Sequence, residues 1–227
     1  MQIGKRIKRN LVDFRDKGHA TLSSYLRRKK LHDKKFTIVA SNCLGAKLYQ
    51  ELALPYQTPF VGLFLFAPCY IKLISNLSGY LNAGLSFVSR SRYHDNGYVK
   101  ASKIEFKWPI GLLGNEVEIH FQHYRDEDEA REKWNRRIQR MNFDRLFFTF
   151  TDRDLCTREH LEDFDKQRLG HTVCFTAKPH LHLQSAIYLP EYRNDNQVGD
   201  IITNFDICRR HFDYIDWLNG HSGKIDQ

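Results

Sequence analysis

Residues 36–52 read FTIVASNCLGAKLYQEL: an apolar run rich in β-branched residues, a short turn from Asn42 to Ala46, and a helical pattern that stops before Pro55. The same alternation recurs downstream. FVGLFLF at 60–66 reads as a strand, and Pro68 then stands near the start of a helix over about 69–82, where its fixed φ and missing N–H are tolerated. RLFFTFT at 145–151, a helix over about 157–167 and HTVCFTA at 171–177 repeat the pattern, and a helix over 206–219 closes the chain. Strands alternating with helices predict an α/β domain, three-layered α/β/α and Rossmann-like, with a mostly parallel or mixed sheet.

The section between these repeats differs in character. Residues 83–124 carry turn signals at Asn96-Gly97 and Gly111 to Asn115, and EVEIHFQHY at 116–124 alternates strictly. Val117, Ile119 and Phe121 share one face, and Glu116, Glu118, His120 and Gln122 share the other, which predicts a strand with one buried and one solvated or functional face. DEDEAREKWNRRIQRMN at 126–142 is the strongest helical signal, acidic in its first turn and basic at its end, as the helix dipole favours.

Composition bounds the rest. At 227 residues, with 41% hydrophobic and 27% charged content, the chain has the makeup of one globular domain and not of a disordered segment. Residues 1–35 hold twelve Lys or Arg against three Asp, a charge of +9, so the whole-chain +8 leaves −1 for residues 36–227. The basicity belongs to an N-terminal arm, expected to be helical, and 36–227 to a single α/β domain. Ile3, Ile7, Leu11 and Phe14 recur at helical spacing among the cations, so the arm reads either as a helix lying on an anionic membrane surface or as a solvated extension. Nucleic acid is disfavoured as a partner because the body has no second basic patch with interleaved aromatics. The most apolar stretch, 62–81, is interrupted by Pro68, Lys72, Ser75 and Asn76 and reads as core, not as a membrane span. The arm lacks a signal-peptide pattern, and five cysteines scattered without CxxC spacing fit neither a disulfide framework nor a zinc ribbon. The simplest localisation is therefore a reducing cytoplasm.

Several residues could carry chemistry. The turn after the first strand should lie at the carboxyl edge of the sheet, where open α/β folds place ligands and where helix N-terminal N–H groups favour an anion. Cys43 there could be a nucleophile or an inert small residue, Asn42 an oxyanion donor or a helix cap, and Gly45 a point of ligand approach or a turn glycine. His120 and His123, three apart at a strand end, point to opposite faces, which favours a single general base over a shared metal, and no metal is assigned. Asp152 and Asp154 follow a buried strand with DxD-like spacing that suits nucleotide-sugar binding or helix capping. Trp134, Arg137 and Arg140 fall on one side of a helix, suited to stacking a sugar and gripping a phosphate, or to a half-buried tryptophan covered by arginine stems.

The segments FTIVASNCLGAKLYQELALPYQTPFVGLFLF, YIKLISNLSGYL, WPIGLLGNEVEIHFQHY, EAREKWNRRIQRMNFDRLFFTFTDRD and FDYIDWLNG resemble a bacterial family catalogued as DUF1919 and commonly labelled exopolysaccharide or capsular polysaccharide biosynthesis. The Asn42-Cys43 turn is also similar, more distantly, to the Gly-Asn-Cys turn of polysaccharide acetyltransferases with an SGNH-hydrolase-like fold, although Ser41 stands where that pattern has glycine. The resemblance implies a role in building or decorating an exopolysaccharide, capsule or lipopolysaccharide. The expected activity is a group transferase, of acyl type, acting on a glycan or lipid-linked precursor at the inner membrane face. Cys43, His120 and His123 would be catalytic, and acyl-CoA or a nucleotide sugar the donor. The alternatives are a glycosyltransferase or sugar-phosphate transferase using Asp152, Asp154 and Arg137, and a non-catalytic glycan-binding scaffold.

Overall fold

The computed structural model describes residues 22–167 and 169–225. The stripe of Ile3, Ile7, Leu11 and Phe14 lies outside them. In chain order the elements begin with α1 (Leu22–Lys29), β1 (Thr37–Ala40), α2 (Leu44–Glu51), α3 (Ala67–Ser75), α4 (Leu77–Asn82) and β2 (Leu85–Val88). They continue with α5 (Gly97–Ala101), β3 (Ile110–Leu113), β4 (Val117–His120), α6 (Glu127–Ile138) and β5 (Leu146–Thr151). The last are α7 (Arg158–Lys166), β6 (His171–Thr176), β7 (Ala186–Tyr188), α8 (Phe205–His211) and α9 (Tyr214–Leu218).

Two sheets result. The larger runs β1-β5-β6-β7 with every pairing parallel, and the smaller runs β2-β3-β4 with every pairing antiparallel. Both faces of the parallel sheet are buried, and the strand alternation assigns its side chains to two cores. Ile38, Ala40, Phe147, Val173, Phe175 and Ile187 pack with α2, α8 and α9 on one face. Val39, Phe148, Phe150, Cys174 and Ala186 pack on the other with α3, α6, α7 and the small sheet. This is the three-layer α/β arrangement. Each fully buried Phe or Leu contributes about 1.5–3 kcal/mol by leaving water.

Three elements depart from the sequence reading. Residues 60–66 are not a strand of the main sheet. The chain there kinks at Gly62 (φ +70°) and makes an isolated bridge from Phe64 to His120, while the Leu65 N–H donates to the Ser41 carbonyl at 2.8 Å. The neighbour of β1 is instead β5, so the first βαβ unit expected at 36–66 does not form. The helix expected over 69–82 breaks at Asn76 (φ −150°), whose Oδ1 accepts from the Gly79 N–H at 3.2 Å and starts α4. A Cβ on Gly79 would lie 2.4 Å from the Asn76 amide, so a larger residue there would displace the capping side chain. The last helix breaks at Phe212, after which Asp213 Oδ1 accepts from the Ile215 and Asp216 N–H groups and caps α9. In both helices a capping side chain offers the backbone a competing set of hydrogen bonds, and apolar periodicity does not see it. A fourth parallel strand, β7, carries no periodic signal in the sequence because AIY is too short to show one.

No helix among the described residues is long and apolar enough to cross a membrane.

Candidate functional site

Ser41 continues the β1 ladder, its N–H donating to the Thr149 carbonyl, and the chain then turns into α2. Asn42 Oδ1 accepts from the Leu44 N–H at 3.0 Å and so satisfies one of the helix's unpaired first-turn donors. Gly45 serves packing: a Cβ there would meet Ala40 Cβ and Ile38 Cγ2 at 3.1 Å, so its absence lets α2 sit close on β1. Cys43, the N-cap residue, points its thiol at the Leu63 carbonyl, 3.7 Å away. Burial pushes this thiol up to about 11, against the weaker opposing pull of the Gly62 and Leu63 backbone. Cys43 therefore holds its proton at neutral pH.

The crossing segment 60–66 is held from several sides. The His123 N–H donates to the Gly62 carbonyl at 3.0 Å while its side chain lies exposed. The Tyr124 hydroxyl donates to the Val61 carbonyl at 2.5 Å and accepts from Arg137 Nη1 at 2.6 Å. Arg137 is buried, its guanidinium 5.4 Å from the Tyr56 ring centroid, and Trp134 is buried edge-on to Phe60 and Phe121. Arg140 is exposed beyond α6, close in sequence to Asn142, whose backbone N–H reaches Thr37 Oγ1. Arg140 thus lies toward the amino edge of the sheet, away from Asn42 and Asp152. The three helix residues do not form one surface.

At the end of β4 the segment meets a polar centre. The fully buried His120 ring is stacked between Phe64 (centroids 4.6 Å, 14°) and Phe106 (5.0 Å, 27°), with Phe66 edge-on at 5.1 Å. Trp108 Nε1 donates to His120 Nδ1 at 3.1 Å. An indole N–H can only donate, so Nδ1 is the lone-pair nitrogen and the neutral ring carries its proton on Nε2. Nε2 lies 2.9 Å from Glu118 Oε1 but off the ring N–H direction, so the contact is electrostatic and not a well-aligned hydrogen bond. Glu118 Oε1 also accepts from the Ser91 hydroxyl at 2.5 Å, and Oε2 accepts from the Arg92 N–H at 3.0 Å. Burial raises the Glu118 carboxyl, but His120, Ser91 and the Arg92 N–H together outweigh it and hold it below the usual range.

Asp154 borders this centre from the end of β5. It and Leu155 both adopt left-handed φ (+56° and +67°), a conformation that costs non-glycine residues about 1–3 kcal/mol each and recurs at functional sites. The Asp154 carbonyl accepts from the Ala67 N–H at 2.8 Å, tying the strained turn to the start of α3. Its Oδ1 is 3.4 Å from the Tyr98 hydroxyl. Burial raises its carboxyl, offset in part by Arg153, Tyr98 and His120. Asp152 is committed elsewhere: Oδ2 accepts from the Ala177 N–H (2.6 Å) and Oδ1 from the Val198 N–H (2.8 Å). It buckles the end of β6 to the loop around Val198, each of its oxygens accepting one backbone N–H. No three His, Cys, Asp or Glu side chains gather as metal ligands among the described residues.

The geometry therefore pairs Glu118 with His120 and covers them with residues 91–108, through Ser91, Phe106 and Trp108, while Tyr98 of the same segment reaches Asp154. Sequence reasoning missed Glu118 and Trp108. The first was legible as the residue two before His120 on the same strand face; the second depends on a loop folding back.

Fold and site define an α/β protein with a buried carboxylate–imidazole pair beside the carboxyl edge of a parallel sheet, under an aromatic cover. The chain matches, over residues 16–219, the family described as "Domain of unknown function (DUF1919)", and it belongs to that family. A Haemophilus influenzae protein described as "Uncharacterized protein" is 35% identical over 195 residues, spanning 84% of this chain and 87% of that relative.

Proposed function

We propose that this chain is a transferase of surface-polysaccharide assembly, working at the inner face of the cytoplasmic membrane and moving an acyl group from a thioester donor such as acyl-CoA to a sugar hydroxyl. The observation that carries the reading is the Glu118–His120 pair. A buried carboxylate beside Nε2 holds the imidazole in one tautomer and favours the imidazolium that forms when Nδ1 takes a proton. Nδ1 now receives the Trp108 N–H, so catalysis requires Trp108 to withdraw and the acceptor hydroxyl to take its place. The hydroxyl proton then passes to Nδ1 and the sugar oxygen bonds to the acyl carbon. The thioester C–S bond breaks, and the imidazolium returns its proton to the leaving thiolate. Asp154, across from His120, would accept a neighbouring sugar hydroxyl. Cys43, protonated and turned to a carbonyl, forms no acyl-enzyme in this scheme and positions the crossing segment instead. The polysaccharide context comes from the family resemblance.

The test is transfer from a panel of acyl-CoA donors to purified surface glycan, read by mass spectrometry. Cys43→Ala should retain transfer and His120→Asn should lose about 10²–10⁴-fold. Loss in Cys43→Ala would restore a covalent role for the thiol. Thermal stabilisation by nucleotide sugars and not by acyl-CoA would replace acyl with glycosyl transfer.

A further inference from the structure

Helix α1 is packed inside out. A surface helix ordinarily turns its apolar stripe to the core. Here Ser24 is buried, Arg27 Nη1 reaches Glu51 Oε2 at 2.7 Å and Arg28 Nη1 reaches the Ala53 carbonyl at 2.9 Å, so polar side chains face the body. Leu22, Tyr25 and Leu26 are 73%, 43% and 51% exposed. Their spacing of i, i+3 and i+4 makes one stripe. They are three of the six large hydrophobic side chains exposed among the described residues. Lys29 borders the stripe, its Nζ 4.7 Å from the Tyr25 ring centroid, and exposed Lys30 follows.

We propose that this outward face, Leu22, Tyr25 and Leu26 rimmed by Lys29 and Lys30, docks the protein on an anionic lipid bilayer. It deepens the membrane placement in the reading above and is independent of the chemistry at His120. Three observations select this occupant. The stripe runs along one side of a single helix, apart from the side chains that α1 turns to the body. Lys29 and Lys30 are exposed and form no ion pair among the described residues, whereas Arg27 pairs with Glu51. And the stripe directly follows 21 residues of sequence in which Ile3, Ile7, Leu11 and Phe14 alternate with cations, within a 35-residue stretch of net charge +9. Apolar side chains entering the headgroup boundary, beside cations drawn to anionic lipid, are the two components of interfacial binding. Because α1 is tied to Glu51 and Ala53, at the end of α2 remote from the Asn42-Cys43 turn, the bilayer would lie at the amino edge of the parallel sheet. The Glu118–His120 centre, beside the opposite edge, would face away from the bilayer.

Flotation of the full-length protein with vesicles tests this, comparing phosphatidylcholine alone with mixtures containing phosphatidylglycerol. Wild type should float with the anionic vesicles only, less so as salt rises. Leu22→Ser/Leu26→Ser, which keeps every charge and alters only exposed side chains, should lower the partition coefficient by at least about tenfold. His120→Asn should float as wild type does, so failure here and failure of the chemistry are separable. Absence of wild-type binding, or unchanged binding of the double variant, overturns the proposal. A wild-type dimer that the double variant abolishes in light scattering would assign the stripe to a second copy of the chain and overturn it equally.

Discussion

At the scale of single residues, the side chains that make the centre are those whose hydrogen bonds run counter to burial. Glu118 is 1% exposed, yet its carboxyl is held below the usual range, which makes its ionised form a net contributor to stability. A depressed folded-state pKa stabilises above the unfolded value of about 4.3 and loses that contribution as pH falls through the folded value. Glu118→Gln should therefore be less stable than wild type at neutral pH, by about 1–3 kcal/mol, with the gap closing as pH drops below the ordinary carboxylate range. Urea unfolding across acid pH measures it. Trp108→Phe keeps an aromatic cover but removes the N–H from Nδ1. We expect it to cost about 1 kcal/mol of stability and, under the proposed chemistry, to lower the KM for the sugar acceptor by freeing the nitrogen the acceptor must reach. For Cys43, a thiol pushed up to about 11 predicts alkylation slower than that of an ordinary cysteine, rising steeply with pH beyond 9. Mass spectrometry after iodoacetamide, peptide by peptide, checks this.

At the scale of elements, the segment 60–66 does what a second parallel strand was expected to do, by a different route. It joins the two sheets, accepting at Val61, Gly62 and Leu63 from Tyr124, His123 and Cys43, and pairing at Phe64 with His120. Half of the residues whose types suggested chemistry therefore bear on this one segment: Cys43, His120 and His123 directly, Trp134 through Phe60 and Arg137 through Tyr124. The contact of α2 with β1 is similarly local. Gly45→Ala would press a methyl group against Ile38 and Ala40 and should cost about 1–3 kcal/mol by overpacking. Because Gly45 is on the far side of β1 from His120, its thermal melting should fall while binding at the centre is kept.

At the scale of the whole molecule, the body begins before residue 36. Leu31 is buried in the core with Phe36 and Leu48, the His32 N–H donates to Asn219 Oδ1, and Arg27 and Arg209 both reach Glu51. Removing residues 1–35 should consequently destabilise the domain by a few kcal/mol, of which Leu31 alone supplies about 1.5–3.

The sequence by itself determined the class of fold, the identity of β1, β5 and β6, the helix after each of β1 and β5, and the small sheet's last strand, because apolar periodicity and turn residues are local signals. It also placed His120 and Asp154 at strand ends, where a site was expected. Pairing was not legible: β1 lies beside β5, more than a hundred residues away, because the choice between 60–66 and 145–151 as its neighbour turns on a kink at Gly62 and on carbonyls taken by distant side chains. The roles of the chemical residues were decided in the same way. Cysteine, arginine and tryptophan read identically in a cleft or in a core. Only the tertiary structure, by turning Cys43 to a carbonyl and setting Glu118 and Trp108 on the two nitrogens of His120, gave those side chains the surroundings that fix their protons.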